Sequence, residues 1–227
     1  MNVLNLMTKR RRLFVSAYHN LIKFEPATIA LLMQNQKSIW GWDFVKLIAS
    51  ASVLLIIINF TIRGFHEDSV RSVIAGTARL AVVLFCLAFS STAIHQLVKN
   101  SFSFWMMMNR KYWGISFAIL HFIHLLFLII LQYSFHPVFT LAAFFALFSG
   151  GMAYLFIALM FLSSFDLFAK MISRKMWKAL HFVGGHWIWV VFMSSYSKEV
   201  FRGGIGFLPL ALMLVIVMCI KLWVRFY

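Results

Sequence analysis

The sequence predicts an all-α, polytopic membrane protein: a six-helix transmembrane bundle preceded by an amphipathic segment lying along the membrane surface. Three observations carry that expectation. Of 227 residues, 63% are hydrophobic and 12% charged, with a mean hydropathy of +0.88, whereas soluble domains are roughly a quarter charged. Six runs meet the requirement of about 20 mainly apolar residues for a spanning helix. The cations cluster on one side of those runs, as retained cytoplasmic loops require.

Residues 1–42 form the first of two expected regions. They set Lys9, Arg10, Arg11, Arg12, Lys23 and Lys37 among Leu13, Phe14, Leu31, Leu32 and Trp40, a mixture suited to a helix in the headgroup layer. Pro26 divides it. A docking arm for a soluble partner is the competing reading. No cleavable signal peptide is expected, because the first long apolar run begins near Phe44, behind this polar and basic leader. Residues 43–227 hold the bundle, with spans at about Phe44 to Ile62, Val73 to Ile94, Tyr112 to Gln132, Val138 to Phe165, Met176 to Tyr196 and Ile205 to Trp223. A loop holding Lys99, Arg110 and Lys111 is expected between the second and third, and the Phe135-His136-Pro137 turn between the third and fourth.

With the N-terminus inside, the cytoplasmic segments hold sixteen cations: Lys9, Arg10, Arg11, Arg12, Lys23, Lys37, Lys46, Lys99, Arg110, Lys111, Lys170, Arg174, Lys175, Lys178, Lys221 and Arg225. The far side holds four, Arg63, Arg71, Lys198 and Arg202, and Arg79 falls inside the second span. Both termini are therefore expected in the cytoplasm. The formal charge of +15 is read as contact with anionic lipid, not nucleic acid. Cys86 and Cys219 sit singly in apolar runs, at no motif spacing, and read as small helix residues.

This topology gathers imidazoles. The second helix ends at His95, the third carries His121 and His124, and the fifth His181 and His186. Counted from the expected helix starts at a rise of 1.5 Å per residue, His121 lies roughly 13 Å along its helix, and His181 and His186 roughly 8 and 15 Å along theirs. His19 is interfacial, and His66 and His136 are loop residues. One histidine in a span is ordinarily a helix-to-helix hydrogen bond; four on helices that can face one another favour ligation. Zinc or copper would commonly add Cys, Asp or Glu, and the spans hold almost no carboxylates. Haem needs only two imidazoles and a slot. Gly184 and Gly185 could let a flat macrocycle approach the backbone, or could serve a helix crossing.

The stretches NRKYWGISFAILHFIH (109–124) and SFDLFAKMISRKMWKALHFVGGHWIW (164–189), with Gly76-Thr77-Ala78-Arg79 opening the second helix, resemble the ferric reductase-like transmembrane domain. That family includes the haem-binding membrane subunit of the bacterial methionine sulfoxide reductase system and, distantly, the membrane half of NADPH oxidases. The resemblance implies a bacterial inner-membrane protein that binds haem b through histidines of the third and fifth helices and passes electrons across the membrane. His124, counted from Gly114, falls at the third-helix ligand and His181 at the fifth; His121, one turn away, is the alternative to His124. His95 would be a substitute ligand or a propionate partner, and His186 a less favoured ligand. The family often carries another histidine about thirteen residues after the Leu-His, where this chain has Ser194 and Ser195, so one haem is expected.

Arg79 reads as a cation that snorkels or pairs with a polar loop residue, with neutralisation of a haem propionate as the competing reading, while Lys99, Arg110 and Lys111 suit cytoplasmic propionates as well as their topological role. GGIGF at 203–207 lacks the strand–turn–helix setting of a dinucleotide fingerprint. The electron donor is accordingly expected to be a quinol or a separate flavoprotein, and a soluble reductase partner would fit. The competing class is a non-haem membrane protein, a small transporter or assembly factor, whose histidines bond helices together or bind a metal ion. No internal repeat or pair of interrupted helices supports a transporter.

Overall fold

The structure, a computed structural model, describes residues 41–135 and 141–226, with the side chains of 141–147 outside that description. The interfacial segment expected over 1–42 lies outside the described residues up to residue 40, as do His19 and His136. Six long helices succeed one another: α1 (Gly41–Arg63), α2 (Glu67–Val98), α3 (Ser101–Phe135), α4 (Leu141–Leu162), α5 (Arg174–Phe201) and α6 (Leu208–Phe226). A helical turn at Asp166–Ala169 precedes α5, and a 3-10 turn at Ile205–Phe207 leads into α6. No strand occurs among the described residues.

Among the described residues four stretches are long and apolar enough to cross a membrane: α1, α2, α3 and Ile205–Phe226, which contains α6. Over its described side chains α4 provides the shorter apolar stretch Phe148–Leu162. α5 is long but less apolar, because His181, His186, two glycines and the serines at 194 and 195 dilute its Val, Ile and Phe residues. The six runs expected from the sequence are thus six helices, and among the described residues four have the length and apolarity of a span.

The loop expected to carry Lys99, Arg110 and Lys111 is instead a tight turn, and Arg110 and Lys111 belong to α3. Lys99 adopts a left-handed conformation, φ 50°, which reverses the chain. Asn100 then restarts it: its side-chain oxygen accepts from the Ser103 backbone N–H at 2.8 Å, and its own N–H donates to Ser103 Oγ at 3.1 Å. That reciprocal pair satisfies orphan donors of the new helix. Residues 101–111 contain neither glycine nor proline, so nothing interrupts α3 before the apolar run. Its 35 residues span roughly 50 Å at 1.5 Å each, well beyond a hydrocarbon layer of about 30 Å. At the other end His66, expected as an ordinary loop residue, is the N-cap of α2, accepting from the Ser69 backbone N–H at 3.1 Å.

α2 and α3 form a long antiparallel hairpin, and α4, α5 and α6 complete a ring in which each helix packs on the next and α6 returns to α2. α1 packs outside that ring on α3 and α2. Leu54, Leu55 and Ile57 on α1 are exposed, as a lipid-facing helix requires. The lower end of the bundle is taken as the end where α2 and α6 finish and α3 and α5 begin. Aromatic rings fill the middle: Phe85 of α2 lies 5.5 Å from Phe117 of α3 and 5.5 Å from Phe192 of α5 between centroids. Buried Cys86 joins this cluster, while Cys219 is exposed.

Candidate functional site

Three residues apart on one helix, His121 and His124 project from about the same face. Their rings stack at 5.4 Å and 20°. His124 is half-buried and turns toward α2, where its Nδ1 lies 2.9 Å from the Ile74 carbonyl oxygen and 3.4 Å from Thr77 Oγ1. A carbonyl only accepts, so Nδ1 carries the proton and Nε2 keeps a lone pair. His121 turns inward, enclosed by Phe117 at 5.0 Å, Tyr154 of α4 at 5.4 Å and Phe192 of α5 at 5.4 Å. Its Nδ1 is buried without a hydrogen-bond partner among the described residues, as are Trp113 Nε1 and Ser116 Oγ on the same helix. Buried polar atoms are ordinarily paired, so three unpaired ones within nine residues make this stretch the candidate site.

α5 holds its histidines differently. His181 Nδ1 lies 3.0 Å from the Trp177 carbonyl oxygen, with the two rings stacked at 4.0 Å. His186 Nδ1 lies 2.6 Å from the Phe182 carbonyl oxygen, and its ring packs on Phe182 and on Phe89 of α2 at 4.3 and 5.3 Å. Both are therefore Nδ1–H tautomers with Nε2 lone pairs, the state that ligating histidines take when a backbone carbonyl orients them. His95, in the last turn of α2, lies 3.0 Å by Nδ1 from Ser103 Oγ and 5.6 Å from the Phe104 ring. It pins the turn between α2 and α3.

The donor chemistry suits a haem iron; the placement of the donors does not match one iron. His121 meets α5 at Phe192, eleven residues beyond His181, or roughly 16 Å along the helix axis. Two axial imidazoles on a single iron stand roughly 4 Å apart, twice a metal–imidazole bond of about 2 Å. The nearness in depth expected of His121 and His181 is thus corrected. The apolar run that starts at Tyr112 is only part of the helix: α3 begins at Ser101, which leaves His121 twenty residues into its helix and His181 seven into α5. The structure brings His121 and His124 together, leaves His95 and His181 toward the lower end and sets His186 near the middle of α5. Among the described residues no group of three or more His, Cys, Asp or Glu could hold a metal ion.

Gly184 and Gly185 serve helix crossings. A Cβ on Gly184 would lie 2.8 Å from Met160 Sδ and 3.2 Å from Phe156 Cβ of α4, and one on Gly185 would lie 3.1 Å from Phe89 Cε2. Arg79 places its guanidinium carbon 5.0 Å over the Phe207 ring at the upper end. A groove of about 300 Å³ opens between α1 and α2, lined by Ser52, Asn59, Gly76, Thr77 and Leu120; Thr77 separates it from His124. Sequence reasoning named Thr77 only within a motif and missed Tyr154 and Phe192 altogether. Tyr154 carried a signal, as a hydroxyl-bearing ring inside the otherwise apolar fourth run. Phe192 carried none, being one phenylalanine of 26. No known protein family, curated protein or solved structure matches the chain.

Proposed function

We propose that the chain is a six-span b-type cytochrome of a bacterial inner membrane, with both termini cytoplasmic, resembling the ferric reductase-like transmembrane domain. It passes electrons from a quinol or a separate flavoprotein to an acceptor outside the chain. The observation that carries this reading is the state of its imidazoles: His124 and His181, on the two helices named by the resemblance, each rest Nδ1–H on a backbone carbonyl and keep Nε2 as a lone pair fit for ligation, while their different depths keep the two from sharing one iron in this arrangement. The buried, unpartnered Nδ1 of His121 adds support. Haem supplies reversible one-electron chemistry when bound. Phe117, Tyr154 and Phe192 exclude water around His121, and Ile74 and Thr77 orient His124. In this reading the chain transfers electrons and performs no reaction with its own side chains.

A second reading is favoured by the different depths of His121 and His181. In it the chain is a non-haem polytopic membrane protein, a small transporter or assembly factor, whose histidines bond helices together as His124 does to Ile74 and His95 to Ser103. The visible spectrum of detergent-purified protein from haem-replete cells, before and after dithionite, separates the two. The cytochrome reading expects a sharpened low-spin reduced spectrum; colourless protein refutes it and leaves the second reading.

A further inference from the structure

The lower end holds a cation arrangement that the histidine chemistry does not use. Lys221 of α6 sits within an otherwise apolar run and reaches inward, its Nζ 3.3 Å from the Phe89 carbonyl oxygen of α2 and 3.6 Å from the centroid of the Phe89 ring. Arg225, one turn further, lies 5.9 Å over the Phe182 ring of α5. Arg110 of α3 donates to Thr92 Oγ1 of α2 at 2.8 Å and lies within electrostatic reach of Lys221 and of His181. Cations of α3 and α6 thus gather at the lower end, against the Phe89 and Phe182 rings and Thr92 of α2 and α5.

Nothing anionic answers it among the described residues. The ion pairs there are Lys46–Asp43, Arg71–Glu67 and Arg202–Glu199, and none includes Lys221, Arg110 or Arg225. Like charges converging on a partly buried position repel unless an anion neutralises them. The surroundings specify what kind of anion. Phe182, Leu222, Trp223 and Phe226 are exposed beside the cations, so an apolar face continues directly from the charged one. A soluble anion would use only the charge; a phospholipid uses both, its phosphate on the cations and its acyl chains on the aromatic and aliphatic side chains.

We propose that Arg110, Lys221 and Arg225 form a binding site for the headgroup phosphate of an anionic phospholipid at the lower end of α2, α3, α5 and α6. The site is independent of whether the protein binds haem. The test reconstitutes the purified full chain in nanodiscs of phosphatidylcholine alone or containing phosphatidylglycerol, and follows co-purified lipid by mass spectrometry together with the thermal unfolding midpoint. The expected result is enrichment of phosphatidylglycerol around the protein of somewhat over a hundredfold relative to phosphatidylcholine, which corresponds to about 1 kcal/mol for each of three cations, and a higher midpoint. The enrichment falls to about fivefold, the share of Arg225 alone, in the Arg110→Gln/Lys221→Gln variant, and most of the rise in midpoint is lost with it. Because removing Lys221 also frees a cation–π contact, Lys221→Arg serves as the second variant and keeps the enrichment. Equal enrichment in the double variant, or an equal rise in midpoint from inorganic phosphate added to phosphatidylcholine discs, overturns the proposal.

Discussion

α3 and α5 each carry two histidines, yet only α3 brings its pair together. On α3 the spacing is three residues, so His121 and His124 share a face and their rings stack at 5.4 Å. On α5 the spacing is five, which at about 100° per residue turns the second ring well over a third of the way round the helix. His181 accordingly stacks on Trp177 of its own helix, while His186 packs on Phe89 of α2. Spacing decides whether two ligands act together, and depth decides whether they meet a partner. The α3 pair shares a face and includes the buried His121; the α5 residues have their Nδ1 atoms bonded to their own helix.

The largest effect expected from this contrast is spectroscopic. If the protein carries haem, His121→Ala and His124→Ala, made singly, should include at least one variant that loses the low-spin reduced spectrum almost completely. His186→Ala should retain it. His181→Ala is the sharpest member of the set, because the resemblance makes it a ligand and the structure places it roughly 16 Å from the level of His121. Loss of the spectrum in the His181 variant with retention in both α3 variants would reverse the comparison, making α5 the ligand helix.

Much of the fold was legible because charge and turn residues punctuate the apolar runs. The expected first span, Phe44 to Ile62, differs from α1 by a few residues at either end, and the expected last span ends three residues before α6 does. The extension of α3 was hidden. Phe102, Trp105 and three successive methionines at 106–108 are helix-compatible and apolar, but Lys99, Arg110 and Lys111 around them read as a loop. That single misplacement set the depth of His121 wrong, since depth is counted from a helix start. Which imidazoles share a face followed from periodicity; which helices face one another did not, because the ring order of α2 to α6 depends on tertiary packing. The Gly184-Gly185 pair shows the same limit, as its sequence suits a macrocycle and a helix crossing equally.

The glycines supply the next largest effect and extend the comparison from ligands to packing. Gly184→Val should destabilise the protein by about 1–3 kcal/mol, because its Cβ meets Met160 Sδ and Phe156 Cβ at 2.8 and 3.2 Å. Gly114→Ala on α3, where nothing lies within 4 Å of the added carbon, should stabilise the helix by about 0.5–1 kcal/mol. Unfolding in a fixed detergent measures both. Equal tolerance at the two positions would mean that α4 does not approach α5 as closely as the structure places it.

The smallest predicted effect separates the two α3 histidines in haem-free protein. His124→Phe removes a bond across α2 and α3, which costs about 1 kcal/mol. His121→Phe replaces a ring whose buried Nδ1 has no partner among the described residues with an apolar ring of similar outline, lined by Phe117, Tyr154 and Phe192. Removing an unsatisfied buried polar group should leave stability unchanged or raise it by about 1 kcal/mol. Opposite signs at positions three residues apart would show that His124 is held for its bond to α2, whereas His121 is kept at a cost to stability, as a residue retained for function is. Destabilisation by both substitutions would instead give His121 a structural partner and weaken the case that its nitrogen awaits a ligand.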